Sequence, residues 1–409
     1  MIETLLQEAK SACRYFQNVN TKTKIIALQK IEKAILESKD IILSENKKDI
    51  ILAKENGISE AFLDRLTLNE SRIQDMANGV HKVSTLPDPI GTIIREIHRP
   101  NGLKIEQVRI PIGTVGVIYE ARPNVTVDIA AICIMTNNIC ILKGGKEALN
   151  TNKILVQIMQ KAIEDVFEVN PIYMIEVMNH DAVTELITDR EHIDVIIPRG
   201  GKGLIQHVVQ NAKVPVIETG AGLCHLYVDA QADIAMALDI AKNAKLQRPS
   251  VCNAIETILV HKNIHEEFLT KLNIVFSTVQ IYADEESLKY IHGKMATSQN
   301  YATEYDDYVC NIKTVNSIDE AIEHIYTYST KHSECIVTQN SNTAQYFMDA
   351  LDSACVYHNA STRFTDGAQF GFGAEVGIST QKLHARGPIG LEEMTSTKYK
   401  IYGNGQIRK

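Results

Sequence analysis

The chain has 409 residues, of which 44% are hydrophobic and 22% charged. This composition is typical of a globular protein of two or three domains, and it excludes collagen-like, coiled-coil and disordered chains. The net charge of −8 argues against nucleic acid as the main partner, because nucleic-acid-binding domains carry a basic excess. The start of the chain lacks the pattern of a signal peptide, and no apolar stretch is long enough to span a membrane, so we expect a cytoplasmic protein.

The first 85 residues predict helices, because apolar residues recur at helical spacing there. Gly57 is a candidate C-cap, and Pro87 and Pro89 end the helical region. Residues 92–109 then alternate between apolar and polar around a Pro-Asn-Gly turn, which predicts a projecting hairpin. The tail from residue 395 alternates in the same way, so it is a candidate partner strand for the hairpin.

From residue 114 onward, short β-branched runs alternate with helical patterns, which indicates βαβ units and a parallel sheet. The predicted strands of this first sheet are 114–119, 139–142, 172–175, 193–197 and 214–217. Predicted strands 258–260 and 335–337, with a helix over 318–325 between them, indicate a second α/β domain. Ligands bind at the carboxyl ends of strands in such sheets, and the loops 120–124, 143–146, 198–203 and 218–222 all follow strands.

The loop at 198–203 is a candidate phosphate-binding turn, because glycines let backbone N–H groups approach a phosphate at a helix N-terminus. Gly200 and Gly201 lie between the basic residues Arg199 and Lys202. Lys143 is likewise a basic residue next to glycines after another predicted strand. The spacing fits neither the G-x-G-x-x-G fingerprint nor a Walker loop. A plain glycine turn with solvated lysines is the alternative.

Eight dispersed cysteines form no C-x-x-C pair, so neither a zinc ribbon nor a disulfide framework is expected, and we expect no metal. Cys252 is the candidate nucleophile, although an inert core thiol is the common role for such a residue. It precedes a run at 254–260 that fits either a helix or a strand, and a helix start would lower the pKa of the thiol. Glu218 and Glu304 are candidate carboxylates, with surface positions as the alternative.

A long glycine-rich stretch at 359–388 predicts a functional loop, with a structural Ω-loop as the alternative. Arg363 and Arg386 within it are candidates to bind a carboxylate or a phosphate.

The segments 119–126, 247–254, 361–367 and 384–388 resemble, in sequence and in order, the gamma-glutamyl phosphate reductase family of the aldehyde dehydrogenase superfamily. The resemblance covers essentially the whole chain. It implies an α/β, aldehyde dehydrogenase-like fold with three parts: a Rossmann-like cofactor domain, an α/β catalytic domain and a small β oligomerisation arm. The implied bounds are 1–91 with 110–217 for the cofactor domain, 218–394 for the catalytic domain, and 92–109 with 395–409 for the arm.

The resemblance also implies residue roles. Cys252 matches the nucleophile, and Asn124 matches the asparagine that binds the oxyanion together with the backbone N–H of Cys252. Lys143 matches the lysine near the adenosine ribose, residues 199–203 the segment facing the pyrophosphate, and Glu304 the glutamate holding the nicotinamide ribose. Ser361, Arg363 and Arg386 are candidate substrate-binding residues.

Glu218 aligns with the general base of the hydrolytic aldehyde dehydrogenases. Those members follow the base with a Leu-Gly-Gly-Lys run, where this chain has Thr-Gly-Ala-Gly, and they precede the oxyanion asparagine with Pro-Trp, where this chain has Arg-Pro. A base role for Glu218 is therefore open.

The implied reaction is the NADPH-dependent reduction of L-glutamyl 5-phosphate to L-glutamate 5-semialdehyde and phosphate through a cysteine thioester, the second step of proline biosynthesis from glutamate. The implied partners are the small substrate, further copies of the chain and, by functional coupling, glutamate 5-kinase. The basic loops suit NADPH, although they do not settle NADPH against NADH. A hydrolytic, NAD-dependent aldehyde dehydrogenase is the alternative enzyme.

Overall fold

The computed structural model describes residues 2–58, 60–177 and 179–408, without the side chains of residues 60, 61, 180 and 202. The chain forms two compact units. Unit 1 comprises Met1–Thr219, Gly371–Gly377 and Ile389–Lys409, and unit 2 comprises Gly220–Phe370 and Ile378–Pro388.

The helices of the described chain are α1 (Glu3–Phe16), α2 (Thr21–Glu37), α3 (Lys39–Glu55), α4 (Glu60–Leu66), α5 (Glu70–Thr85), α6 (Pro123–Met135), α7 (Leu149–Ile163), α8 (His180–Thr188), α9 (Lys202–Asn211), α10 (Ile234–Leu246), α11 (His265–Val275), α12 (Ser298–Tyr301), α13 (Ile318–Tyr328) and α14 (Ser341–Ala350). The strands are β1 (Ile93–His98), β2 (Lys104–Pro111), β3 (Thr114–Tyr119), β4 (Ile139–Gly144), β5 (Ile172–Met174), β6 (Val195–Arg199), β7 (Cys224–Val228), β8 (Ile255–His261), β9 (Gln280–Ala283), β10 (Lys294–Met295), β11 (Val309–Val315), β12 (Ser333–Val337), β13 (Cys355–His358), β14 (Ile378–Ser379), β15 (Gly387–Pro388) and β16 (Thr395–Tyr402).

The predicted N-terminal helices are present as α1 to α5. On α2 the apolar spacing places Leu28, Ile31 and Ile35 on a fully buried stripe. Gly57 follows the C-cap of α3 with φ +68°, a conformation that glycine adopts without a steric penalty. The helical region ends at α5, directly before the two prolines, as predicted.

The predicted hairpin is β1 and β2, and the tail strand β16 pairs antiparallel with β2. Together they form a three-stranded sheet in the order β1-β2-β16. The hairpin turn contains Gly102 at φ +87°, and the tail strand leaves Tyr399 and Ile401, which lie on one face of the sheet, exposed. The pairing of the tail with the hairpin is therefore correct, whereas the role of this arm in oligomerisation stays a prediction.

Unit 1 contains a parallel four-stranded sheet in the order β5-β4-β3-β6. Four of the five strands predicted for it are present. The fifth, 214–217, was wrong as a strand, because it contributes only an isolated parallel bridge between Val216 and Ile196. Pro215 has no N–H to donate and cannot extend a ladder in both directions. Helix α6 is apolar nearly all round and buried in this unit.

Unit 2 is built on a parallel seven-stranded sheet in the order β10-β9-β11-β8-β7-β12-β13. The predicted strands at 258–260 and 335–337 lie in β8 and β12, and the predicted helix lies in α13. The run at 254–260, which the sequence left open, is strand β8. Its residues are buried except at the end, as expected for a central strand with both faces covered.

The division between the units follows Thr219, two residues beyond the predicted boundary. Two later segments, Gly371–Gly377 and the residues before the tail strand, belong to unit 1, although the prediction gave them to the catalytic domain. The assignment of cofactor and catalytic roles to the two parts stays a prediction. None of the helices in the described residues is both long enough and apolar enough to cross a membrane.

Candidate active site

Cys252 lies in the loop that connects the end of α10 to the start of β8. The loop is tight, since the N–H of Ala254 donates to the carbonyl oxygen of Val251 at 2.9 Å, and Cys252 is half-buried. The sequence left open whether Cys252 lies at the start of a helix. Because the residues after it form strand β8, it does not. Cys252 instead lies at the amino end of a parallel sheet.

Gly222 packs directly against the backbone of Cys252. A Cβ atom at Gly222 would fall 1.5 Å from the Cys252 carbonyl oxygen and 2.6 Å from its Cα, so only glycine fits this close approach. The N–H of Gly222 donates to Oε1 of Glu304 at 2.7 Å. Glu304 therefore holds the segment that supports the candidate nucleophile. The sequence marked the loop 218–222 as glycine-rich but did not reveal this role of Gly222.

Arg363 is brought to the Cys252 loop. Its Nε donates to Oε1 of Gln247 at 3.0 Å, and its Nη1 donates to Oδ1 of Asn253. Burial lowers the pKa of Arg363, while the negative charge of Asp366 and, to a smaller extent, that of Cys252 act in the opposite direction. Arg363 is therefore the cation that the structure places beside the loop of the candidate nucleophile.

Asn253 fastens the glycine-rich loop to the cysteine loop. Its Nδ2 donates to the carbonyl oxygen of Thr365 at 2.8 Å, and its own carbonyl oxygen accepts from Oγ1 of Thr362 at 2.7 Å. Ser361 is buried, and its Oγ accepts from the N–H of Arg363 at 3.2 Å. Two of the three candidate substrate-binding residues thus lie at the nucleophile, where Ser361 acts as a helix cap.

Arg386 is engaged elsewhere in unit 2. Its Nη1 donates to Oδ1 of Asp352 at 2.9 Å and its Nη2 to the Asp352 carbonyl oxygen at 2.7 Å. Lys382 also pairs with this carboxylate at 2.8 Å, and the two cations hold the pKa of Asp352 well below its usual range. These contacts anchor the segment that carries Arg386, so a substrate-binding role for it stays a prediction.

In unit 1, Asn124 is the second residue of α6. Its Nδ2 donates to Oδ2 of Asp128 at 3.0 Å, which orients an otherwise exposed amide. Burial raises the pKa of Asp128 to about 6, against the opposing effects of the hydrogen bond from Asn124 and the charge of Arg199. The structure therefore brings together two predicted residues, Asn124 and Arg199, around a carboxylate that the sequence reasoning missed.

The glycine loop at the end of β6 is occupied by a side chain of the same unit. Gly201 is the N-cap of α9, and its N–H donates to Oε2 of Glu120 at 2.7 Å. A Cβ at Gly200 would lie 2.5 Å from that oxygen. The loop thus already binds an anionic oxygen, as a phosphate site would. A phosphate that accepted a hydrogen bond from this N–H would have to displace Glu120, to which the sequence reasoning gave no role.

Two further features at the carboxyl end of this sheet bear on the predicted dinucleotide site. Open space surrounds the position of a side chain at Gly203, so a ligand can approach the first turn of α9 closely. Lys143 is buried at the end of β4, where its Nζ donates to the carbonyl oxygen of Gly144 at 3.1 Å and burial lowers its pKa. The side chain of Lys202 lies outside the described residues. Glu218 is half-buried at the end of the segment that precedes unit 2.

Comparison with known proteins places this fold and site in a class. The model of the aldehyde dehydrogenase family matches residues 1–309. The chain belongs to this family, and the aldehyde dehydrogenase-like α/β fold predicted from the motifs is confirmed.

Full-length relatives narrow the assignment. The chain is 51% identical over 405 residues to gamma-glutamyl phosphate reductase of Petrotoga mobilis and 49% identical over 416 residues to that of Clostridium tetani, with 98% of this chain and 97% of each relative covered. The crystal structure of gamma-glutamyl phosphate reductase from Thermotoga maritima matches with a TM-score of 0.96 and 43% identity over the whole of both chains. Within the aldehyde dehydrogenases, the chain belongs to the gamma-glutamyl phosphate reductase family.

Proposed function

We propose that this chain reduces L-glutamyl 5-phosphate to L-glutamate 5-semialdehyde and phosphate, the second step of proline biosynthesis from glutamate. The observation that carries the proposal is the setting of Cys252: a half-buried thiol with Gly222 packed on its backbone and Arg363 beside it. This setting occurs in a chain about half identical to reductases that act on that acyl phosphate.

The first half-reaction is acyl transfer to Cys252. Its thiolate forms a bond to the carbonyl carbon of the substrate, and the bond from that carbon to the phosphate oxygen breaks. Phosphate departs with the electron pair and a thioester remains. We assign the side-chain amide of Asn124 and the backbone N–H of Cys252 as donors to the oxyanion, each worth roughly 3 kcal/mol in the transition state.

The second half-reaction reduces the thioester. A bound, reduced nicotinamide dinucleotide supplies the hydride to the thioester carbon. The resulting thiohemiacetal on Cys252 collapses, the C–S bond breaks, and the aldehyde leaves with regeneration of the thiolate. Neither half requires an activated water, so the reaction proceeds without a general base at Glu218.

For the cofactor, we propose NADPH held by Lys143, the loop 199–202 and Glu304. The support is physical: the N-terminus of α9 already attracts a carboxylate oxygen, and basic residues flank the loop at Arg199 and Lys202. Positive charge at this edge suits the additional phosphate of NADPH.

For the cellular setting, we propose a cytoplasmic homo-oligomer that receives its substrate from glutamate 5-kinase. The support for the oligomer is the three-stranded arm, on which Tyr399 and Ile401 are exposed on one face of the sheet, as is typical of an interface. The support for the coupling is the chemistry of acyl phosphates, which react with water.

The test runs the reaction in reverse. Purified protein is supplied with glutamate 5-semialdehyde and NADP⁺, and NADPH formation is followed with and without phosphate. A reductase of this type needs phosphate to release the acyl group from Cys252, so we expect turnover only when phosphate is present. Equal rates with and without phosphate would overturn the proposal and favour the hydrolytic aldehyde dehydrogenase, which releases the acyl group to water.

A further inference from the structure

A second thiol contacts the backbone of the nucleophile. Cys224 is the first residue of β7 and is fully buried. Its Sγ donates to the carbonyl oxygen of Cys252 at 3.2 Å. Burial and the neighbouring negative charges of Glu334 and Cys252 raise the pKa of Cys224 well above its usual range. The Cys224 thiol therefore keeps its proton and is available as a donor at neutral pH.

The Cys224 thiol is itself held in place by a neighbouring side chain. Nδ1 of His332 lies 3.6 Å from Sγ of Cys224 and 2.8 Å from Oγ of Ser333. His332 is fully buried, and burial lowers its pKa to about 4, so the ring is neutral at physiological pH. Oγ of Ser333 continues the contacts to Oγ1 of Thr365 at 2.7 Å.

These contacts close into a ring around the nucleophile. Thr365, reached from Cys224 through two buried side chains, uses its carbonyl oxygen to accept from Nδ2 of Asn253. Asn253 directly follows Cys252 in the chain. The peptide unit between Cys252 and Asn253 is thus held at two points. Cys224 binds its carbonyl oxygen, and Thr365 binds the side chain of Asn253.

We propose that Cys224 is a positioning residue, whose S–H bond to the Cys252 carbonyl holds the nucleophile loop in its reactive conformation. This inference rests on the proposed function in one respect, that Cys252 is the nucleophile. The contact that carries this inference is made to the carbonyl oxygen of Cys252 and not to its sulfur. Its expected effect is on the rate of the chemical steps, because small displacements of a reacting group cost up to about 100-fold in rate.

The test compares four variants. Cys224→Ala removes the donor, Cys224→Val removes it while approximately keeping the volume, and Cys224→Ser keeps a donor on the same side chain. Cys310→Ala is the matched control, because Cys310 is also fully buried in the same sheet but its Sγ donates at 3.5 Å to the carbonyl oxygen of the adjacent Asn311.

We expect Cys224→Ala and Cys224→Val to lower kcat about tenfold with both KM values within about twofold of the wild type. Cys224→Ser should recover most of the rate, and Cys310→Ala should leave it unchanged. If Cys224→Ala does not fold, the Val and Ser variants carry the same comparison. Wild-type kcat in the Ala or Val variant, or an equal loss in the Ser variant, would overturn the inference.

Hydrogen exchange of the backbone amides provides a readout that does not need activity. In the peptide covering residues 247–254, exchange should be several-fold faster in the Cys224→Ala and Cys224→Val variants than in the wild type or Cys310→Ala. Unchanged exchange would contradict the positioning role. A wild type that exchanges as expected but lacks reductase activity would instead count against the proposed function alone.

Discussion

The two parallel sheets place their candidate functional residues at opposite ends. In the four-stranded sheet of unit 1, Glu120, Lys143 and Arg199 lie at or just beyond the carboxyl ends of β3, β4 and β6. In the seven-stranded sheet of unit 2, Cys252 lies in the loop directly before β8 and Cys224 is the first residue of β7, both at the amino end. The rule that ligands bind at the carboxyl ends of strands thus describes the first sheet but not the second.

The difference has an electrostatic consequence. At the carboxyl end of a parallel sheet the following helices begin, and their N-termini favour anions, as the contact of Gly201 with Glu120 illustrates. At the amino end the preceding helix finishes. Cys252 therefore lies in a loop that follows the C-terminus of α10, and not in a loop that precedes a helix N-terminus. We propose that the positive charge of Arg363, whose Nη1 contacts Oδ1 of Asn253 next to Cys252, stabilises the thiolate in place of a helix N-terminus.

The largest expected effect is at Cys252 itself. Cys252→Ala removes the sulfur that we propose forms the thioester, so turnover should fall by more than about 10⁴-fold, as for other lost nucleophiles. The thermal unfolding midpoint should stay close to that of the wild type, because the side chain is half-buried and small. The reverse assay with phosphate measures the activity, and substantial retained turnover would contradict the assignment of the nucleophile.

A pair of glycine substitutions compares a closely packed glycine of unit 2 with an open glycine of unit 1. Gly222→Ala places a methyl group 1.5 Å from a backbone oxygen and should lower the free energy of unfolding by about 2–3 kcal/mol. Gly203→Ala lies in α9 with no atom within 4 Å and should raise it by about 0.5–1 kcal/mol. Urea denaturation measures both. Equal changes in the free energy of unfolding for the two variants would mean that the close packing of Gly222 on Cys252 does not require a glycine.

The electrostatic comparison is tested at Arg363. Arg363→Ala removes the cation beside the thiol, so alkylation of Cys252 by iodoacetamide should require a pH about one unit higher. Lys271→Ala is the control, since it removes the same charge from an exposed pair with Glu267 in the same unit. Alkylation of Cys252 is followed by peptide mass spectrometry across pH. The same midpoint in both variants would show that Arg363 does not activate the thiol.

The smallest effect concerns Asp128 in unit 1. Because burial raises its pKa from 3.8 to about 6, the folded protein binds more protons than the unfolded chain between these values. Its contribution to stability is therefore fully present below about pH 4 and is lost as the pH rises to about 6. Asp128→Asn should remove this loss.

Urea denaturation from pH 4 to pH 7 measures the effect of Asp128. The difference in unfolding free energy between Asp128→Asn and the wild type should increase in favour of the variant up to about pH 6 and then stay constant. Asp165→Asn is the control, since the pKa of Asp165 is lowered by Lys30 instead. A difference for Asp128→Asn that does not depend on pH would contradict the raised pKa.

The sequence predicted much of the fold because strands and helices are local patterns. The β-branched runs located β3 to β6, and the alternation of residues 92–109 located the arm. The predicted strand at 214–217 was wrong because the segment forms only an isolated bridge to a neighbouring strand, although its residues have a high β propensity. Its residues are β-branched, but whether a segment joins a ladder depends on its neighbours and on donors that Pro215 lacks.

For the candidate site, the sequence predicted which residue types take part but not which residues contact one another. The motifs around Cys252 and Asn124 marked both residues as candidates without geometry, whereas the contacts of Gly222, Glu120 and Cys224 join residues distant in sequence. Arg386 illustrates the converse. Its type suits a substrate anion, but its partner Asp352 lies 34 residues away, and local sequence does not reveal such a pair.

The most direct test of the central claim is to trap the acyl group. The protein is incubated with glutamate 5-semialdehyde and NADP⁺ in the absence of phosphate, and the chain is digested and analysed by mass spectrometry. The proposed chemistry predicts a glutamyl thioester on the peptide containing Cys252, formed once per chain with one NADPH and released on addition of phosphate. An acyl group on another residue, or continuous NADPH formation without any adduct, would contradict it.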